Sequence, residues 1–255
     1  MAASWLRCAA VVGPDASEAL LAKNDPLPFA LLALTAVTGL VDAVSFLGLG
    51  HVFTANMTGN VVLLAFAVAG APGLSMARSS TSLVAFLVGA ALGGRLGVAM
   101  ALASRRRWLL TAAGAEALLL VAAAIASIGL ELGSATSPSR LYIVIVLTAL
   151  AMGLRNATVR RLAVPDLTTT VLTLTLTAVA ADSSVAGGDN PRIGRRVASV
   201  LLMFAGAAAG TLLLRWGLAL PLVVSAVGVL AATVAYADVP TPRNPSAGSG
   251  QTPLK

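Results

Sequence analysis

Residues 53–60 read FTANMTGN and lie between LGLGHV and VVLLAFAVAG, deep in apolar sequence. The amides of Asn56 and Asn60 and the hydroxyls of Thr54 and Thr58 can coordinate a small polar solute or an ion. They can equally hydrogen-bond neighbouring helices, and Gly59 lets a backbone or a ligand come close. On a helix Thr54 and Thr58 share a face, as do Asn56 and Asn60, each pair being four residues apart. TTTVLTLT at 168–175 offers a comparable stripe through Thr169, Thr173 and, just beyond it, Thr177. An unpaired polar group turned towards lipid costs about 1–3 kcal/mol even on lenient scales. The two stretches are therefore expected to face each other across a polar cavity.

Four ionisable residues fall inside apolar segments: Asp42, Arg95, Glu116 and Arg155. Charges at membrane depth cost several kcal/mol, which makes them functional candidates or members of structural pairs. The pairs open to them are Asp42 with Arg95 or Arg155, and Glu116 with another arginine. The catalytic signatures H-E-x-x-H, G-x-S-x-G and G-x-x-x-x-G-K-[ST] do not occur. The single cysteine, Cys8, rules out a disulfide framework and C-x-x-C chemistry. The only histidine, His51, reads as an interfacial residue. No enzyme, metal or cofactor is expected.

The elements that must position these groups follow from composition. Of 255 residues 58% are hydrophobic and 11% charged, against roughly 25% charged in a soluble domain. Mean hydropathy is +0.91. Apolar tracts cover 27–48, 61–71, 83–103, 108–130, 141–154, 197–214 and 217–237, and several approach the ~20 residues that cross a hydrocarbon core. The fold class is an all-α polytopic membrane protein, with the lipid bilayer as its first partner. Trp108, Tyr142, Trp216 and Tyr236 fall at segment ends, where amphipathic rings settle among headgroups. The net charge of +7 reflects scarce acids and arginines in short loops. It does not form the aromatic-interleaved basic face of a nucleic-acid binder. Residues 1–26 read as a tail, not a signal peptide, and the Pro/Gly/Ser-rich 238–255 as a disordered tail.

The membrane domain, 27–237, repeats itself. TGLVDA (38–43) matches MGLRNA (152–157) at an offset of 114, so Asp42 aligns with Asn156. FTANMTGN matches TTTVLTLT with Thr58 against Thr173, and GAALG (89–93) matches GAAAG (206–210) at 117. Repeat one is expected over 27–130 and repeat two over 141–237, four helical segments in each. Gly89, Gly93 and Gly97 lie on one helix face, as do Gly206 and Gly210. Small faces of this kind pack membrane helices closely, here between the halves or between subunits of a homo-oligomer.

The motif FTANMTGN followed by GLRNATVRRLAVPDLTTTVLTLTLT (153–177) resembles the YoaK family of bacterial membrane proteins, over roughly residues 27–237. The family pattern has Gly where this chain carries Leu174. The resemblance implies a bacterial inner-membrane protein and no established substrate. Function is expected to be small-molecule or ion transport along a path lined by Asp42, Asn56, Thr58, Gly59, Asn60, Asn156, Thr169 and Thr173. Arg95, Glu116 and Arg155 would be charge partners. The alternative is a membrane scaffold in which the same residues are interhelical glue.

Topology turns on the segments 52–71 and 165–181. If all eight segments cross and the N-terminus is cytoplasmic, nine basic residues lie inside and six outside, with Arg105–Arg107 on the wrong side. If those two segments re-enter, twelve lie inside and only Arg78, Arg140 and Arg215 outside. The positive-inside rule favours six spans. Reporters fused after Arg78 and after Arg140 should then both read periplasmic, and one after Arg107 cytoplasmic. Finding Arg78 and Arg140 on the side of the N-terminus would eliminate the six-span arrangement.

Overall fold

A computed structural model describes residues 27–130, 138–162 and 172–237. Both tails and Thr169 lie outside the described residues. The regular structure among these residues is entirely helical. The eight α-helices are α1 Leu27–Ala43, α2 Met57–Val68, α3 Met76–Ala99, α4 Arg105–Ser127, α5 Pro138–Leu162, α6 Leu172–Ala181, α7 Ile193–Leu213 and α8 Ala219–Ala237.

Six of them, α1, α3, α4, α5, α7 and α8, are long and apolar enough to cross a membrane, α1 and α7 together with the short turns that prolong them. The other two are too short. At 1.5 Å per residue the 12 residues of α2 reach ~18 Å and the 10 of α6 ~15 Å, against a hydrocarbon core of ~30 Å. Arg78, at the start of α3, donates from Nη1 to the Gly50 carbonyl just past α1, at 3.1 Å. The end of α1 and the start of α3 are thus at the same end of the molecule, and α2 leaves and returns on that side.

Local chemistry sets the boundaries. Asn56 caps α2 by accepting from the Gly59 N–H at 3.2 Å. Ser75 caps α3 and Ser104 caps α4 in the same way, through the N–H groups of Arg78 and Arg107. Directly after Asp42–Ala43, α1 widens into a π turn, Val44–Gly48. Gly50 then takes φ +84°, and a Cβ there would run into the Arg78 guanidinium. Only glycine meets both demands.

The helices form an inner bundle of α1, α4, α5 and α8. Outside it, α3 lies along α5 and α7 along α1. Accordingly most of α1 and α5 is buried, and less than a third of α3 and α7. The inner core includes Val41 and Val44 from α1, Leu120 from α4, Ile145 from α5 and Leu222 from α8, all fully buried. Leu49, Val52 and Ala55, in the turn between α1 and α2, join the same core. A smaller cluster of Leu27, Leu31 and Val159, with Leu162 and Tyr236 against it, closes the opposite end.

The outer contacts run backbone to backbone. A Cβ on Gly89 would collide with the Leu150 carbonyl of α5, and one on Gly153 with the Phe86 carbonyl of α3. On the other flank, Gly206 lies against the Ala36 carbonyl and Gly39 against that of Met203. Gly93 and Gly210 face Leu154 O and Leu40 O, each with 2.8 Å left for a Cβ, and Gly97 seats the Arg161 side chain. The small faces seen in the sequence are therefore used within the chain. Each joins an early helix to a late one, with α3 on α5 and α7 on α1.

Because backbone atoms form these walls, a side chain there must part the helices. Gly89→Leu and Gly206→Leu should each destabilise by at least the ~1–3 kcal/mol typical of overpacking. Gly94 and Gly114 have open space at their Cβ positions, and alanine there should change little. Thermal unfolding in detergent, followed by tryptophan fluorescence, checks this. Equal midpoints for all four variants would remove the close-packing account.

Candidate functional site

Arg155 occupies the centre of the inner bundle. On α5 it lies two residues after Gly153, which turns it about 200° away from the α3 contact and into the bundle. Its Nη2 pairs with the Glu116 carboxylate of α4. Its Nη1 donates to Thr38 Oγ1 at 3.1 Å and to the Leu34 carbonyl at 3.3 Å, both on α1. Thr38 in turn donates to Leu34 O at 2.9 Å. Arg155 is 2% exposed and Glu116 3%. Charges buried so completely are retained only with partners of good geometry.

One turn beyond Thr38 on α1 is Asp42, also buried. It stands within electrostatic reach of Arg155, and the backbone N–H groups of Ala55 and Asn56 face its carboxyl. Its Oδ1 has no hydrogen-bond partner, and neither has the buried Thr54 hydroxyl. The turn that carries these groups is held on its far side by α3. Ser82 Oγ donates to Phe53 O at 2.6 Å, and Asn60 Nδ2 donates to Ser79 O at 3.0 Å. Phe46 stacks on Phe53 with ring centroids 5.0 Å apart and meets His51 edge-on at 5.2 Å.

On the other side of the Arg155–Glu116 pair is a cavity of about 40 Å³, bordered by Leu34, Thr158, Val229 and Thr233 besides the pair itself. One water needs roughly 10–15 Å³ measured this way, so the space suits a few waters. Both threonines donate to carbonyls of their own helices, Thr158 to Leu154 and Thr233 to Val229. Val159 and Leu162 border this space and belong as well to the cluster around Leu27 and Leu31.

Several sequence expectations are corrected. FTANMTGN is not one helix: Thr54 and Asn56 precede α2, so neither pair of residues shares a helix face. Thr58 is exposed and Asn60 buried. Gly59 meets the Phe53 ring and the Asn56 amide, each 3.1 Å from a Cβ position, and not a second backbone. Thr173 is exposed on α6. The packed partner of α2 is α3 and that of α6 is α7, so the two short helices do not face each other across a shared cavity. Arg95 is exposed, one turn from the end of α3, and pairs with neither Asp42 nor Glu116. Exposed there, it can snorkel to the headgroups. Asn156 donates to Met152 O at 2.8 Å.

The central cluster is thus Asp42, Glu116 and Arg155, the last shared between two acids. Sequence reasoning singled out all three but missed Thr38 and Thr158. Each lies within about one helical turn of a charged member, which was the available signal. Arg196, buried near the start of α7, also escaped notice. It donates to Asp182 Oδ2 at 2.7 Å and to Ala178 O at 2.9 Å, tying the end of α6 to α7.

The family described as Protein of unknown function (DUF1275) matches residues 30–235. The UPF0700 transmembrane protein YoaK of Bacillus subtilis (strain 168) is 34% identical over 157 residues. That alignment covers 60% of this chain and 65% of the relative, slightly less than two thirds of its length. No solved structure matches. With the family match running through all six long helices and both short ones, the chain belongs to the DUF1275 family of multi-pass membrane proteins and is similar to YoaK.

Proposed function

We propose that the chain is a small-molecule or ion transporter of the bacterial inner membrane, with a cytoplasmic N-terminus and no catalytic chemistry. Its path passes through the Asp42–Glu116–Arg155 cluster of the inner bundle. The observation that carries this reading is the cluster itself: three buried ionisable groups at membrane depth, two of which, Glu116 and Arg155, border a cavity sized for a few waters. One of its oxygens is bare. A bundle needing only cohesion is more cheaply built from apolar contacts. The Leu27–Leu31–Val159 cluster lies next to the cavity at one end, and the 49–56 turn packs into the core at the other.

Under this proposal residues 27–130 and 141–237 are duplicated halves. Shifting α1 by 114 carries Ala36, Gly39 and Leu40 onto Leu150, Gly153 and Leu154. Shifting α7 back by 117 carries Met203, Gly206 and Gly210 onto Phe86, Gly89 and Gly93. Every contact of a glycine with a backbone carbonyl on one flank thereby lands on one of the other. Three spans per half make the halves inverted, an arrangement common among secondary transporters. The scaffold reading draws on a different observation: Arg155 already has partners on α1 and α4, as interhelical glue would.

Water access separates the two. In a Cys8→Ser background, single cysteines at Thr158 and Thr233 should react with a small, positively charged methanethiosulfonate reagent in membrane vesicles. Cysteines at Val144 and Leu222, in the dry core, should not. A cavity residue silent from both faces of the membrane, in protein that remains folded, would sink the transport reading and leave the scaffold.

A further inference from the structure

Four buried ionisable residues are found among the described residues: Asp42, Glu116, Arg155 and Arg196. Arg196 is paired with Asp182 at the junction of α6 and α7. That leaves two acids and one base in the inner bundle. With every group ionised the cluster would carry an uncompensated negative charge in a low-dielectric interior, which is among the costliest states a protein can adopt. One further positive charge is required there.

The surroundings of Asp42 supply none. From α5 it sees Arg155, which is directly paired with Glu116 of α4. From the 49–56 turn it sees the N–H groups of Ala55 and Asn56. That turn's His51 is exposed and set against Phe46, while Arg78 of α3 is bound to Gly50 O on the turn. On its own helix the polar neighbours are Thr38 and Ser45, both neutral and both bonded to backbone carbonyls. The two other helices against α1, α7 and α8, carry no ionisable residue between Val197 and Leu214 or between Ala219 and Ala235.

We infer that the missing charge is a proton on Asp42: the carboxyl is a proton-binding site that competes with Glu116 for Arg155. The choice between the acids follows from contacts. Glu116 makes the direct ion pair, whereas Asp42 keeps a bare Oδ1 at 8% exposure. The unpartnered Thr54 hydroxyl, 0% exposed, adjoins the amides that face this carboxyl. A proton suits the site better than a metal ion, because N–H donors face the carboxyl and would repel a cation seated among them. The step is a simple exchange, in which a proton from the aqueous phase adds to Oδ1 and is later returned.

The proton site does not require transport. Only its use as the coupling ion rests on the proposed function. Infrared difference spectroscopy on the purified protein in lipid nanodiscs, titrated with pH in sodium-free buffer, tests it. Wild type should show a protonated-carboxyl band at neutral pH that vanishes in alkali. Isotopic labelling of aspartate carboxyls should shift that band, and labelling of glutamate should not. Asp42→Asn should abolish it while leaving thermal unfolding at neutral pH close to that of wild type, because the amide mimics the neutral acid. Arg155→Gln should strengthen it by leaving both acids protonated. If that variant does not fold, Asp42→Asn and the labelling decide alone. A band that shifts with glutamate labelling overturns the assignment. So does a wild type without the band that is instead stabilised by sodium chloride, which would mean a metal cation. A band lost in Asp42→Asn, in a protein whose cavity cysteines stay unlabelled, keeps the proton site and discards transport.

Discussion

Close backbone approach between helices is the constraint on which the rest depends. Within a bilayer, lipid chains are as apolar as leucine, so burying hydrophobic surface does little to choose which helices meet. Shape must choose. Here α3 meets α5 and α7 meets α1 at glycines whose missing side chains admit the opposing carbonyls. Those contacts clamp α1 and α5 from outside and set which of their faces turn inward. Arg155 enters the bundle because Gly153 is committed to α3. The polar centre is thus a consequence of the small faces on the perimeter.

The same clamps separate two kinds of polar residue. Threonines and serines that bond to the carbonyl one turn back, such as Thr35, Thr148 and Ser225, satisfy themselves and ask nothing of their neighbours. Asp42, Glu116 and Arg155 cannot do so. Their positions are affordable only because α1, α4 and α5 bring them within reach of one another. Hydroxyl content is therefore a poor guide to which polar residues meet across helices in this protein, and buried charge a good one.

That difference explains what could be read in advance. The long helices were legible from apolar length, the number of candidate spans from the arginine balance, and the packing faces from glycine spacing. The charge cluster was legible because ionisable residues are rare in such tracts. The role of FTANMTGN was not. A stretch of amides and hydroxyls is compatible with helix, cap or loop, and the deciding facts lie elsewhere. Asn56 can cap α2 only because the chain turns at Gly50 and His51, and that turn depends on Arg78, 28 residues after Gly50. The hydroxyl stripe of α6 misled for a related reason. Thr177 donates to Thr173 O, so α6 needs no polar cavity and can lie at the periphery.

The asymmetry between the halves has a physical logic of its own. Under the proposed duplication Asp42 corresponds to Asn156 and Arg155 to Val41, while α8 carries no acid to answer Glu116. The packing glycines, by contrast, recur in both halves. A symmetric copy of the charges would add a second set of like groups to the same bundle, and like charges at close range repel most strongly where the dielectric is low. A duplicated scaffold can be symmetric because glycine against carbonyl is favourable in either half. Asn156 illustrates the outcome: where its counterpart Asp42 has a bare oxygen, Asn156 donates to Met152 O of its own helix. Under that duplication the two acids come from the first half and the arginine from the second, while the packing glycines come from both.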